Sequence, residues 1–200
     1  MLPDKRYRAP AREKPPHDKG DDPVGPSGDD ARPSPQGIQG LSDDLGSQRG
    51  PLFSPGILHE FFVPEYKRLT SLYREHGVLV FFHSCGGVEP VTDVFLEIGI
   101  DVLNPVQASA NDLDALRGKT MNRIALHGGV STHTIMTGPV EKIEAEVRMR
   151  LWQLGSNGGY FCAPDQGLPF PEPHVRAFHA AVEKYGVYPI SCPDARCRNC

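Results

Sequence analysis

The chain has 200 residues, a formal net charge of −4 and a hydrophobic fraction of 38%. This charge excludes the basic surface that nucleic-acid-binding proteins carry, and no apolar run approaches the about 20 residues that span a membrane. The cysteines number five, and three of them lie in the last nine residues, so a secreted disulfide framework is not expected. The first residues lack the apolar core of a signal peptide. We therefore expect a cytoplasmic α/β protein.

Residues 1–41 differ in composition from the rest of the chain. They hold 8 of the 20 prolines, only 9 hydrophobic residues, and 7 basic against 7 acidic residues. Burial of so few apolar side chains cannot offset the conformational entropy that the chain would lose on ordering. We therefore predict a disordered leader over 1–41. Residues 188–200 carry Cys192, Cys197 and Cys200. Structural zinc normally needs four ligands, and this segment is therefore predicted to be a flexible tail rather than a zinc site.

Between these two segments, apolar periodicity predicts helices that alternate with strands. Ser54 followed by Pro55 is typical of a helix start, and apolar residues then recur at steps of three and four until Gly77. The later elements follow in chain order as a strand over 78–82, a helix over 90–98, a strand over 101–104, a helix over 112–117, a strand over 123–126, a helix over 139–154, a strand over 159–162 and a helix over 172–185.

This alternation indicates a parallel sheet whose strands are connected by right-handed crossovers. Two architectures fit the pattern, a doubly wound sheet and part of a (β/α)8 barrel. A complete barrel needs about 250 residues, and the ordered part of this chain has about half of the required βα units.

Polar or glycine-containing segments follow all four predicted strands, at 83–87, 104–107, 127–132 and 162–167. The carboxyl ends of parallel strands meet at one edge of a sheet, and active sites of both architectures are built there. The sequence therefore predicts one functional site made from these four segments.

His83 and Cys85 are the leading candidates for metal ligands. An imidazole and a thiolate separated by one residue, on a loop that leaves a buried strand, can share one zinc ion. A catalytic zinc site needs a third protein ligand, which Cys162, Asp165 or Gln166 can supply from the end of another strand. The alternative is a packed cysteine beside a loop histidine, with no metal.

Several segments resemble the uroporphyrinogen decarboxylase (URO-D) superfamily. They are Asp-Asp-Leu-Gly-Ser-Gln at 43–48, Ser-Pro at 54–55, Phe-His-Ser-Cys-Gly at 82–86, Asn-Pro-Val-Gln at 104–107, His-Gly-Gly-Val at 127–130 and Ala-Pro-Asp-Gln-Gly at 163–167. The resemblance covers 42–187 in order. It implies a TIM (β/α)8 barrel, of which this chain would hold only the carboxyl-terminal half, with about four βα units.

The His-x-Cys-Gly motif resembles the methyltransferase branch of that superfamily. The branch implies a zinc ion, held by a His, a Cys and a later Cys, that activates a thiol acceptor for attack on methylcobalamin. Zinc does so by lowering the pKa of the thiol. Carried over to this chain, His83 and Cys85 are the first two ligands, and Gln166 stands where the branch has its later Cys. Asp165 or Cys162 is then the alternative third ligand.

The same resemblance implies a small-molecule substrate and a partner protein that carries a corrinoid. The residues carried over as substrate-binding are Asp43, Asp44, Gln48, Asn104, Gln107, His127, Gly128 and Gly129.

Two other functions remain open at this point. The first is uroporphyrinogen decarboxylase activity in porphyrin biosynthesis, which needs no metal and uses an Asp and an Arg-rich clamp from the amino-terminal half of the barrel. The second is a non-catalytic half barrel. Its sheet would have two open edges and an uncovered inner face, so it would form a dimer or dock on a separate barrel half. In that hypothesis the leader over 1–41 stands where half of a barrel is expected.

Overall fold

The computed structural model describes residues 35–193, so residues 1–34 of the predicted leader and 194–200 of the predicted tail lie outside the described residues. The strands of the described part are β1 (Gly37–Ser42), β2 (Gly46–Ser47), β3 (Gly50–Pro51), β4 (Val78–His83), β5 (Val102–Val106), β6 (Ala125–Val130) and β7 (Tyr160–Pro164). The helices are α1 (Pro55–Ile57), α2 (Val63–Glu75), α3 (Thr92–Ile98), α4 (Leu113–Thr120), α5 (Thr132–Thr137), α6 (Val140–Gly155) and α7 (Glu172–Tyr185).

Five of the strands form one parallel sheet in the order β1-β4-β5-β6-β7, and β2 pairs with β3 in a short antiparallel hairpin. At least one helix lies in the chain between each sheet strand and the next. The α/β fold with alternating βα units, arranged as part of a barrel, is thereby confirmed. None of the helices within residues 35–193 has both the length and the apolar composition needed to cross a bilayer.

Strand β1 corrects the predicted boundary of the disordered leader at residue 41. Its six residues pair in parallel with β4 from Gly37↔Val78 to Ser42↔His83. The segment Gly-Ile-Gln-Gly-Leu-Ser contains only two apolar residues and is mostly exposed, so apolar periodicity could not identify it. Its order comes from the backbone hydrogen bonds that a parallel neighbour supplies. The sheet consequently has five strands rather than the four that were predicted.

The helical region that follows begins and ends as the sequence predicts. Ser54 caps it, because its Oγ accepts a hydrogen bond from the backbone N–H of Ile57 at 3.3 Å. A π-helical turn (Leu58–Phe62) joins α1 to α2 immediately before Pro64. Proline has no N–H to donate to the preceding turn, and a wider turn at that point accommodates its ring.

The glycine-rich segment after the strand predicted over 123–126 is arranged differently from the prediction. The strand predicted over 123–126 extends as β6 through Gly128 and Gly129 to Val130, and α5 follows at once. Gly128 has φ +114° and Gly129 has φ +87°. Such positive φ values are adopted by glycine far more readily than by other residues, so the strand continues through a glycine pair that the sequence pattern predicts as a loop.

The first residues of the predicted flexible tail pack against α6. The hydroxyl of Tyr188 donates to the carbonyl of Gly155 at 2.6 Å, and Ile190 packs against the cluster around Ile143 and Leu151. The carbonyl of Cys192 accepts from an α6 arginine. The predicted tail boundary at 188 is therefore wrong for 188–192, because the side chains of Tyr188 and Ile190 and the backbone of Cys192 contact the folded part of the chain.

The core has two parts, which lie on the side of the sheet that faces the helices. The larger part surrounds Phe82, Phe95 and Leu103, all fully buried. The smaller part surrounds Ile143 and Val147 of α6. Each such side chain contributes about 1.5–3 kcal/mol through burial. This packing fixes the strands in register and so fixes the loops at their carboxyl ends.

Candidate metal centre

The loops that follow β1 and β4 lie side by side at the carboxyl edge of the sheet. Ser42 pairs with His83, and the ladder continues where the backbone N–H of Asp43 donates to the carbonyl of His83 at 3.0 Å. Asp44 on one loop therefore comes next to His83 and Cys85 on the other.

Asp44, His83 and Cys85 bring their ligand atoms together. Nε2 of His83 lies 3.4 Å from Sγ of Cys85 and 3.7 Å from Oδ1 of Asp44. All three ligand atoms lie within 4.8 Å of one another. Tetrahedral zinc, with bonds of about 2.3 Å to sulfur and about 2.05 Å to nitrogen or oxygen, would separate sulfur from nitrogen by about 3.6 Å and nitrogen from oxygen by about 3.3 Å. The observed nitrogen–sulfur distance of 3.4 Å and nitrogen–oxygen distance of 3.7 Å are close to these values, so small side-chain movements would accommodate a zinc ion.

Close backbone packing holds the two loops in this arrangement. A Cβ on Gly86, which has φ +85°, would lie 2.5 Å from the carbonyl carbon of Gly46. A Cβ on Gly46 would lie 2.7 Å from the carbonyl oxygen of Cys85. Asp44 adds a polar link, because its Oδ1 accepts the backbone N–H of Cys85 at 2.9 Å. The site thus requires glycine at both positions and is largely formed by the fold itself.

Asn104 of β5 orients the imidazole of His83. Its Oδ1 lies 2.8 Å from Nδ1 of His83, and its Nδ2 lies 2.7 Å from Nδ1 of His127 on β6. An oxygen acceptor at Nδ1 selects the tautomer that leaves Nε2 of His83 without a proton, as metal binding requires.

The third member of the candidate metal group differs from the residues that the sequence suggested. Cys162 belongs to the cluster on the helix side of the sheet, where burial raises its pKa to about 11. Asp165 is buried and accepts from the backbone N–H of Thr132 at 2.9 Å and from its hydroxyl at 2.5 Å. Asp44, which the sequence placed among the substrate-binding residues, completes the group instead.

Gln166 lies at the metal group, but as a hydrogen-bond donor. Its Nε2 donates to Sγ of Cys85 at 3.1 Å, an interaction that stabilises a thiolate. Burial raises the pKa of the Cys85 thiol, the N–H of Gln166 acts in the opposite direction, and nearby carboxylates raise it further. The thiol is therefore protonated near pH 7, and a bound cation would displace its proton.

A cavity of about 230 Å³ opens beside His83. Asn104, His127 and Gln166 contribute to its walls, as do the backbone and side chains of 163–165. Burial lowers the pKa of His127, which keeps its imidazole neutral at pH 7. The metal group thus borders a space that a small molecule can enter.

The remaining predicted substrate-binding residues support the loops instead of lining this cavity. Asp43 accepts from the hydroxyl of Tyr66 at 2.6 Å. Oε1 of Gln107 accepts from the backbone N–H of Gly86 at 2.5 Å and from Nε2 of Gln48 at 3.3 Å.

Gly128 and Gly129 serve the packing of β6. A Cβ on Gly128 would lie 3.0 Å from the backbone nitrogen of Val106, and one on Gly129 would lie 3.2 Å from the hydroxyl of Tyr160. Of the eight residues carried over as substrate-binding, only Asn104 and His127 line the cavity.

Comparison with known proteins agrees with this fold. A search of curated proteins finds no match. Among solved structures, a methyltransferase from Methanosarcina mazei is similar, with a TM-score of 0.61 and 24% sequence identity. The match covers 75% of this chain and 42% of that one, so the chain spans less than half the length of the methyltransferase. The family model described as uroporphyrinogen decarboxylase (URO-D) matches residues 41–185. The chain therefore belongs to the URO-D family.

Proposed function

We propose that this chain is part of a zinc-dependent, methyltransferase-like enzyme of the URO-D family. The observation that carries the proposal is the group formed by Asp44, His83 and Cys85, whose ligand atoms lie within 4.8 Å of one another at the carboxyl edge of the sheet. One oxygen, one nitrogen and one sulfur ligand, with a fourth position left open, are the donor set of a catalytic zinc site.

Bound zinc would act as a Lewis acid that lowers the pKa of a thiol substrate, so that the thiol reacts as a thiolate with a methyl group carried by a corrinoid on a partner protein. The residues of the chain have separate tasks in this proposal. His83 and Cys85 supply ligands from one loop, and Gln166 stabilises the negative sulfur of Cys85 through its N–H. The cavity beside His83 holds the small-molecule thiol.

Metal analysis of the purified chain tests the proposed ligands. We expect about one zinc ion per chain, with loss of that ion in Cys85→Ala. Cys162→Ala is the matched control, because Cys162 is a free thiol on the helix side of the sheet. The proposal is wrong if Cys85→Ala retains zinc, or if Cys162→Ala loses it to the same extent.

The reaction is tested by incubating the zinc-loaded chain with methylcobalamin and a panel of small thiols, and following the loss of the methyl–cobalt absorbance. Demethylation that depends on Cys85 supports methyl transfer. Incubation of the same sample with uroporphyrinogen tests the decarboxylase alternative, for which coproporphyrinogen is the expected product. Formation of that product by Cys85→Ala would favour the decarboxylase.

The inner face of the sheet supports a second candidate, a half barrel that associates with another copy of itself. Ile38 of β1 is 65% exposed and Phe161 of β7 is 53% exposed. Exposed apolar side chains on an open sheet favour association. Light scattering on the purified chain tests this candidate. A dimer that Phe161→Ser converts to a monomer supports it, and a wild-type monomer contradicts it.

A further inference from the structure

Three side chains on three adjacent strands form a continuous hydrogen-bonded row. His83 of β4 pairs in register with Asn104 of β5, and Oδ1 of Asn104 lies 2.8 Å from Nδ1 of His83. Nδ2 of Asn104 lies 2.7 Å from Nδ1 of His127 on β6. Both histidines thus contact one carboxamide through the same ring atom, Nδ1.

A carboxamide presents an acceptor on one side and a donor on the other. The ring nitrogen that faces its oxygen must carry a proton, and the ring nitrogen that faces its NH2 group must not. Neutral His83 and His127 therefore adopt opposite tautomers. Rotating the amide by 180° would exchange the two tautomers and could not make them equal.

Metal binding by His83 removes this remaining freedom. Nε2 of His83 faces Asp44 and Cys85 and must be unprotonated to bind a metal. The proton of His83 is then on Nδ1, and Oδ1 of Asn104 accepts it. Nδ2 of Asn104 donates to His127, whose own proton is consequently on Nε2.

The surroundings of His127 make that Nε2–H available to a ligand. His127 lines the cavity beside the metal group, and it contacts Asn104 through Nδ1. The rings of Phe81 and Phe161 flank it at centroid distances of 5.5 and 6.1 Å. Apolar neighbours keep the imidazole neutral and strengthen any hydrogen bond that it donates.

We propose that Asn104 is a positioning residue that couples the metal site to the cavity. When His83 is in the tautomer that binds a metal, His127 must present its Nε2–H as a donor to an oxygen acceptor on the substrate, such as a carboxylate. This proposal rests on the proposed function, because it takes His83 as a metal ligand. It adds to that function a substrate with an oxygen acceptor close to its reacting group.

Imidazole ¹⁵N NMR of the zinc-loaded chain measures the two tautomers directly. We expect Nδ1–H on His83 and Nε2–H on His127. In Asn104→Asp both side-chain oxygens are acceptors, so His83 keeps its tautomer and its zinc affinity while His127 changes to Nδ1–H. In Asn104→Leu both hydrogen bonds are lost, and zinc affinity falls by about tenfold or more.

Asn157→Asp is the matched control, because Asn157 is exposed on the loop between α6 and β7. It should leave both tautomers and the zinc affinity unchanged. The proposal is overturned if His127 carries its proton on Nδ1 in the wild-type chain, or if Asn104→Asp leaves the His127 tautomer unchanged. Failure of the proposed function has a different signature, which is absence of zinc binding while the two histidines still show opposite tautomers.

Discussion

Replacing Asp44 by asparagine separates metal binding from folding at this site. Oδ1 of Asp44 accepts the backbone N–H of Cys85 at 2.9 Å and lies 3.7 Å from Nε2 of His83. Asparagine retains an oxygen that can accept the same N–H, so the loop keeps its conformation. The variant loses only the negative charge that would bind a cation.

We expect Asp44→Asn to weaken zinc binding by about 100-fold or more, since changes to residues that merely contact a ligand already cost 10- to 100-fold. A 100-fold change corresponds to about 2.7 kcal/mol of binding free energy. In the absence of zinc, the free energy of unfolding of Asp44→Asn should stay within about 0.5 kcal/mol of the wild-type value.

Asp43→Asn is the matched control, because it makes the same change one residue earlier. Asp43 accepts from the hydroxyl of Tyr66 and is not one of the three residues of the metal group. Zinc affinity should change by less than about threefold, and the free energy of unfolding should fall by no more than about 1 kcal/mol, because asparagine retains an oxygen that can accept the Tyr66 hydroxyl.

Competition with a chromophoric chelator measures both affinities, and urea denaturation measures both unfolding free energies. The reasoning is refuted if Asp44→Asn binds zinc as tightly as the wild type. It is equally refuted if Asp43→Asn and Asp44→Asn lose the same affinity, because the charge near the site would then matter more than ligation.

Three further predictions concern residues around the site. Zinc affinity should rise about tenfold per pH unit between pH 7 and 8, because burial raises the pKa of the Cys85 thiol and its proton must leave on binding. Zinc titrations at several pH values that give the same affinity would contradict this. Gly86→Ala should lower the free energy of unfolding, measured by urea denaturation, by about 2–3 kcal/mol, because φ at this position is +85° and the new Cβ would lie 2.5 Å from backbone. Gly118→Ala, on the exposed face of α4, meets nothing within 4 Å and should raise the free energy of unfolding by about 0.5–1 kcal/mol. Thr132→Val should lower the free energy of unfolding by about 1–3 kcal/mol, because buried Asp165 loses the hydroxyl that donates to it at 2.5 Å. Thermal melts that match the wild type would contradict this and show that the backbone N–H of Thr132 alone satisfies the carboxylate.

Much of the site could be predicted because parallel strands place their carboxyl ends together. Alternating apolar segments were sufficient to show that the residues after four strands would meet. His83, Asn104, His127 and Gln166 come from those four segments and line one cavity. The spacing of His83 and Cys85 also indicated a metal site before any partner was known.

The third member of the candidate metal group could not be predicted from periodicity, because it follows an edge strand that has almost no apolar pattern. Asp44 follows β1, whose side chains are mostly exposed and whose order comes from backbone pairing with β4. Side-chain periodicity reflects burial, so it does not reveal a strand whose side chains are mostly exposed. The sequence predicts Cys162, Asp165 or Gln166 instead, and the alternation of β7 directs the thiol of Cys162 to the helix side.

The same edge strand explains why metal binding and folding should be coupled in this chain. Asp44 is attached to β1, whereas His83 and Cys85 are attached to β4, so a cation shared by all three would join the two strands. A ligand that binds only the folded state at 100 times its Kd adds about 2.7 kcal/mol of stability. Because β1 has few buried side chains of its own, this gain would act mainly on its pairing with β4. The metal would thus stabilise the strand that supplies one of its ligands, and the pairing of that strand would in turn hold the site together.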